Sequence, residues 1–218
     1  MPVIPQKNIE SVTFTTHLDD IAEKVGPFYY HDRIDLSLEE KESISTYRRD
    51  SSKINWYLRG NYIPADSEKE ILDHQISDLS NSFSKKNSRL PDDIDVIKGV
   101  DFPFAMMLLK NGGIRDHAFS STSYNLNDAI SYAQCANDNS EEHDEYLNLV
   151  AISLSKGTKF LYLKEDAEIL LDKDSSWHVI DAREFDTFTY VTVSDGVAER
   201  RKYDKVRIIF INREEGEA

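Results

Sequence analysis

The feature that most constrains the fold is a change of pattern along the chain. Residues 36–83 carry apolar side chains at helical spacing, and capping boxes are expected at Ser37 with Glu40 and at Ser67 with Glu70. Residues 147–211 instead form short β-branched and aromatic runs, several of which alternate. Helices followed by strands favour an α+β fold with antiparallel pairing and a sheet of mixed strands. With no repeat or linker, we expect one domain over residues 1–218, mainly helical in 1–90 and mainly β in 91–218.

The composition of the chain limits the classes of molecule that the protein is expected to bind. The 218 residues carry a formal charge of -14, which disfavours nucleic acid and anionic membranes because their phosphates would be repelled. The single cysteine, Cys135, excludes an internal disulfide. We expect it to be a buried structural thiol with no disulfide-linked partner. The opening MPVIPQKNIE lacks a signal-peptide pattern and no apolar run could span a bilayer, so we expect a soluble protein that is not inserted in a membrane.

Several common site motifs are absent. The sequence has no GxGxxG, no GxxxxGK[ST] and no HExxH, which gives no support to a Rossmann dinucleotide site, a nucleoside-triphosphate loop or a zinc protease. The six histidines are scattered, so we expect no metal site.

Three segments could carry chemistry at strand ends. Lys98 ends a predicted strand just before Gly99, and the segment SSTS (120–123) puts hydroxyls where a strand gives way to a helix. Asp166 and Glu168 are two apart on a predicted strand and would share a face. A cation, hydroxyls and carboxylates suit a sugar-phosphate ligand. The alternatives are hydroxyls that bond only the backbone and an exposed acidic strand end.

The order of these segments resembles the mono-ADP-ribosyltransferases of the arginine-serine-glutamate class, and especially the enzymatic components of clostridial binary actin-modifying toxins. The segments that carry the resemblance are LSLEEKESISTY, INWYLRG, LPDDIDVIKGV, FSSTS, and LSKGTKFLYL followed by EILLDKDSSWHVI. The resemblance implies a split β-sandwich with an N-terminal helical lead-in, in which NAD is a substrate bound in the cleft.

The same resemblance implies roles for individual residues. Glu168 would bond the nicotinamide-ribose 2'-hydroxyl and stabilise the oxocarbenium-like transition state, Ser121 would hold Glu168, and Asp166 would select and activate the acceptor. Lys98 would stand where the family has arginine, near the NAD phosphates or the Ser-Glu pair. The remaining residues that the resemblance assigns to NAD binding are Gly99, Thr122, Ser123, Asn55 and Arg59.

Two functions are compatible with these patterns. One is a protein mono-ADP-ribosyltransferase, a toxin or effector secreted without a classical signal or a cytoplasmic protein, whose acceptor by analogy is actin or a small GTPase. The other is a degenerate transferase fold that acts as a docking module without NAD turnover. The retention of both the SSTS and EILL segments favours the enzyme. Lys98 in place of arginine favours the docking module, because an ammonium cannot reproduce the two-pronged grip of a guanidinium.

Overall fold

The structure is a computed structural model that describes residues 1–29, 35–139, 142, 144–163 and 167–215. Its first part contains strands β1 (Gln6–Ile9) and β2 (Val12–His17), helix α1 (Leu18–Val25), a single 3₁₀ turn (Gly26–Phe28), and helices α2 (Leu38–Arg49), α3 (Ser52–Leu58) and α4 (Asp66–Phe83). Then follow β3 (Ile94–Val100), α5 (Phe102–Asn111), β4 (Gly113–Asp116), β5 (Ser120–Ser123) and α6 (Leu126–Asp138). The last strands are β6 (Leu147–Leu154), β7 (Phe160–Leu163), β8 (Glu168–Leu171), β9 (Ser175–Ser194) and β10 (Val197–Glu214).

The strands of the described residues form one hydrogen-bonded path that is nearly divided in two. Their order is β1-β9-β10-β6-β3-β5-β8-β7, with β2 and β4 also paired to β9. Strands β3 and β5 share only the pair Ile97–Ser123, whereas β3 pairs with β6 over its whole length. The division at β3 and β5 matches the expected split sandwich. The pairing is mixed, since β1 and β2 run parallel to β9 and β6 runs parallel to β10. The α+β prediction is confirmed.

Each half of the divided sheet is covered by apolar side chains. Helices α2, α3 and α4 pack on the β7-β8-β5 half through residues such as Tyr47, Leu79 and Phe83. The opposite face of that half meets β3, β6 and β9 in a second core that includes Trp177. Helix α6 covers the β6 and β10 side through Ala129, Ile130 and Ala133. Burying one face of each helix against a strand layer is what the helical spacing predicts.

Some local predictions are wrong. Two of the short runs within residues 147–211 that we expect to be separate strands, residues 177–180 and 185–193, belong to the single strand β9. Ile180 has no partner on β10, because Val179 pairs with Ile211 and Asp181 with Phe210, so this bulge changes the phase of the alternation. Cys135 is exposed rather than buried, since it lies on the face of α6 opposite the buried alanines.

One of the two predicted capping boxes forms and the other does not. Ser37 and Glu40 form the predicted capping box, in which each side chain bonds the other residue's backbone N–H. The second box does not form, because α4 begins at Asp66 with Ala65 as its cap, which puts Glu70 too far into the helix. None of the helices in the described ranges has the length and hydropathy that a bilayer crossing requires.

Candidate active site

A pocket lies where the sheet is divided between β3 and β5. It encloses about 230 Å³ and is open to solvent on one side. Strand β3 contributes Lys98 and Gly99, and β5 contributes its serines and threonine. The wall is completed by Glu168 from β8 and by residues of α6. The lining residues are Ile97, Lys98, Gly99, Ser121, Thr122, Ser123, Asp128, Ala129, Tyr132 and Glu168.

Lys98 is tied to the strand that carries the hydroxyls. Its Nζ donates a hydrogen bond of 2.8 Å to the carbonyl oxygen of Ser121. Burial and the positive charge of Arg59 lower the pKa of Lys98 to about 8, while Asp116 and Glu168 act in the opposite direction. The side chain therefore lies beside the Ser121 strand and within the electrostatic reach of Glu168.

The hydroxyls of β5 differ in what they contact. Thr122 Oγ1 donates to the carbonyl oxygen of Ile169 at 2.6 Å, and Ser123 Oγ donates to that of Ala167 at 3.2 Å. Both hydroxyls thus fasten β5 to the segment around β8. In the β5–β8 register, Ser123 is opposite Glu168 and Ser121 is opposite Leu170. The backbone-bonding alternative therefore describes Thr122 and Ser123.

Ser121 has a side-chain neighbour from helix α2. The hydroxyl of Tyr47 is 3.5 Å from Ser121 Oγ and accepts a hydrogen bond of 3.0 Å from Asn55 Nδ2. Tyr47 is 1% exposed, and this burial raises its pKa to about 12. Asn55 Oδ1 is buried and has no hydrogen-bond partner within the described residues. Tyr47 thus connects Asn55 to the serine at the pocket.

The structure brings together six of the nine residues predicted for the site. Lys98, Gly99, Ser121, Thr122, Ser123 and Glu168 line the pocket. Asn55 and Arg59 are not among the lining residues; they bond Tyr47 and Asp116 instead. Asp166 lies outside the described residues, so its predicted role in acceptor selection stays a prediction.

Packing of helix α6 against β3 excludes any side chain at position 99. A Cβ on Gly99 would lie 2.1 Å from the carbonyl oxygen of Ala129 and 2.7 Å from the backbone nitrogen of Ala133. Only glycine lets helix α6 approach β3 this closely. Since α6 supplies one wall of the pocket, this contact sets the position of that wall.

Four residues around the pocket are not among the predicted site residues: Tyr47, Asp116, Asp128 and Tyr132. Asp128 and Tyr132 are four apart on α6, so helical spacing places both on the face that also carries Ala129. Tyr132 is 62% exposed although it lines the pocket. Tyr47 and Asp116 reach the site only through contacts between distant parts of the chain, for which the sequence gives no local signal.

The described residues contain no group of three or more His, Cys, Asp or Glu side chains that could hold a metal ion.

Solved structures with the same fold include ADP-ribosylating toxins. The chain is 18% identical to BECa, from a binary enterotoxin of C. perfringens determined with NADH, at a TM-score of 0.61 over 90% of this chain and 47% of that one. It is 16% identical to Plx2a of Paenibacillus larvae, at a TM-score of 0.60 over 91% and 96% of the two chains. It is 20% identical to C3stau2 of S. aureus, determined with NAD, at a TM-score of 0.58 over 95% and 100%. The chain thus spans about half the length of BECa.

A comparison of sequences identifies the family. No curated protein sequence matches the chain significantly. The model of the ADP-ribosyltransferase exoenzyme family matches residues 22–206, which include every lining residue of the pocket. The chain therefore belongs to the ADP-ribosyltransferase exoenzyme family.

Proposed function

We propose that this protein is an NAD-dependent mono-ADP-ribosyltransferase that transfers ADP-ribose from NAD to a protein acceptor. The observation that carries the proposal is the pocket that gathers Lys98, Ser121 and Glu168 around the division of the sheet. Membership of the exoenzyme family and neighbours determined with NAD or NADH support the choice of substrate.

The size of the pocket suggests which part of NAD enters it. A volume of about 230 Å³ is below the ~300–1,000 Å³ typical of sites for drug-sized ligands. We therefore assign the pocket to nicotinamide and its ribose, with the diphosphate and adenosine lying along the open side. Lys98 lines the pocket and the charge of Arg59 acts on it, and two neighbouring positive charges suit a diphosphate.

The reaction needs a negative charge close to the carbon from which nicotinamide leaves. As the glycosidic bond breaks, positive charge develops on the ribose, and a fixed carboxylate stabilises it. Glu168 is the described carboxylate that both lines the pocket and starts strand β8, so its backbone position is fixed by pairing with β5 and β7. Ser121 would orient the carboxylate, and the backbone bonds made by Thr122 and Ser123 would hold β5 and β8 together.

The acceptor and the route of delivery are further parts of the proposal. We propose that Asp166 selects and activates the acceptor, and that the acceptor is actin or, as the second candidate, a small GTPase, by the resemblance to binary toxins. We further propose that the protein is a secreted toxin or effector that acts in the cytosol of a target cell.

The test combines NAD titration by calorimetry with measurement of nicotinamide release from the same sample. Glu168→Gln should bind NAD but release nicotinamide about 100-fold or more slowly than the wild type, because it loses the charge but little volume. Glu70→Gln, which changes an exposed carboxylate on α4, is the matched control and should release nicotinamide like the wild type.

Two results would overturn the proposal. Undiminished release in Glu168→Gln would remove the assigned role of the carboxylate. Absence of NAD binding to the wild type at millimolar concentration would instead favour a docking module that retains the fold without the reaction.

A further inference from the structure

Asp116 is a buried carboxylate that the proposed reaction does not use. It ends strand β4 and is 3% exposed. Its Oδ1 accepts hydrogen bonds from Arg59 Nε at 3.0 Å and from the backbone nitrogen of Ala118 at 3.1 Å. Its Oδ2 accepts from Arg59 Nη2 at 2.9 Å and from Ser120 Oγ at 3.4 Å. One carboxylate therefore fixes both a guanidinium that follows α3 and the segment that leads into β5.

The pair of Asp116 and Arg59 has a defined orientation. Two parallel hydrogen bonds hold the guanidinium by Nε and Nη2, which fixes its plane as well as its position. The side chain of Arg59 is 31% exposed, so solvent reaches part of it. A planar cation held in this way can present its remaining N–H groups to phosphate oxygens without first losing side-chain freedom.

The charge of Asp116 also acts on the pocket itself. Lys98 and Arg59 are both positive, and the charge of Arg59 lowers the pKa of Lys98. The negative charges of Asp116 and Glu168 oppose this effect and raise the pKa of Lys98. With a neutral residue at position 116, the positive charges of Lys98 and Arg59 beside β5 would be less well neutralised. The guanidinium of Arg59 would also no longer be held in one orientation.

We propose that Asp116 is a positioning residue for NAD binding, which holds the guanidinium of Arg59 where its remaining N–H groups contact the diphosphate. This inference rests on the proposed function. The competing explanation is that the pair only stabilises the fold. The chain offers a matched case for that explanation, because Arg207 binds the buried Glu184 with Nε at 2.8 Å and Nη2 at 2.7 Å across strands β9 and β10.

A double-mutant cycle on NAD affinity separates the two explanations. Asp116→Asn and Arg59→Ala should each weaken NAD binding about 10-fold or more, as measured by calorimetry. The double variant should bind within about twofold of Arg59→Ala, because Asp116 acts through Arg59. Glu184→Gln, which breaks the matched pair away from the pocket, should retain wild-type affinity while losing stability.

Three outcomes of these affinity measurements would overturn the inference. Wild-type affinity in Asp116→Asn, or an equal loss in Glu184→Gln, would assign Asp116 to stability alone. Fully additive losses in the double variant would show that Asp116 does not act through Arg59 and would also overturn the inference. If Asp116→Asn does not fold, Arg59→Lys replaces it, since lysine keeps the charge but cannot form the two-point contact. Unchanged affinity in Arg59→Lys would overturn the inference, and a loss would support it. A wild type that binds NAD but does not release nicotinamide would contradict the proposed function and leave this inference standing.

Discussion

Substitution of Gly99 by alanine tests whether the pocket wall is set by the contact between β3 and α6. The added Cβ would meet the Ala129 oxygen at 2.1 Å and the Ala133 nitrogen at 2.7 Å. Both atoms belong to the helix backbone, so no side-chain rotation can relieve the clash. The helix must retreat by roughly 1 Å or more before the contacts become ordinary.

The expected cost follows from this geometry. Overpacking a well-packed core costs ~1–3 kcal/mol, and a clash with backbone belongs at the upper end of that range. For a protein of this size each 1 kcal/mol lowers the melting temperature by about 2–4 °C, so Gly99→Ala should melt roughly 6–12 °C below the wild type. NAD affinity should also fall, because α6 carries Asp128, Ala129 and Tyr132 of the pocket wall.

Thermal unfolding and calorimetric NAD titration measure the two effects. Gly26→Ala is the matched control, since Gly26 has φ -51° and a Cβ added there would have no neighbour within 4 Å. This variant should be as stable as the wild type or more stable by about 0.4–1 kcal/mol. A Gly99→Ala protein with wild-type melting temperature and NAD affinity would refute the packing argument.

Two more variants test the neighbours of Ser121. Replacing Lys98 by methionine removes a half-buried cation whose pKa is lowered to about 8. The native state therefore carries a penalty in its free energy of unfolding that is full below pH 8 and is relieved as the pH rises toward 10.5. The stability of the wild type relative to Lys98→Met, from urea unfolding, should therefore increase between pH 7 and pH 10, by at most about 3 kcal/mol; a pH-independent difference would contradict the lowered pKa. Tyr47→Phe removes the acceptor of the Asn55 hydrogen bond and should lower the free energy of unfolding by about 1–3 kcal/mol and slow nicotinamide release, whereas a wild-type urea midpoint would argue against the connection.

The parts of the fold that depend on neighbouring residues could be predicted from the sequence. The capping box at Ser37 and the strand Ile94–Val100 follow from residues a few positions apart. No local pattern predicts strands β1 and β2, because they are short, largely exposed, and held by parallel pairing with β9 far along the chain. Helix α5 is also absent from the predictions, although Asp101 caps it by accepting from the backbone nitrogen of Phe104.

The residues of the candidate site likewise include some that the sequence predicts and some that it does not. Lys98, Ser121 and Glu168 could be proposed because each lies in a short strand segment that resembles a motif of a known family, although only Glu168 is at the end of its strand. Asp116 could not, because its partner Arg59 is 57 residues away and the two meet only when the end of α3 lies beside β4. Tyr47 could not for the same reason, since 74 residues separate it from Ser121. A stripe of apolar residues gives no sign of which tyrosine will turn its hydroxyl toward a distant serine.

The pairing of β1 and β2 with β9 has a consequence for how the molecule forms. Asp19, which follows β2, accepts hydrogen bonds from Ser194 and Asp195 at the turn between β9 and β10, across 175 and 176 residues of chain. Contacts of such sequence separation close large loops and are associated with slow folding. Because synthesis runs from β1 toward β10, strands β1 and β2 must wait, unpaired, until β9 has left the ribosome. Their backbone groups stay open to chaperones and to wrong partners for the whole of that interval.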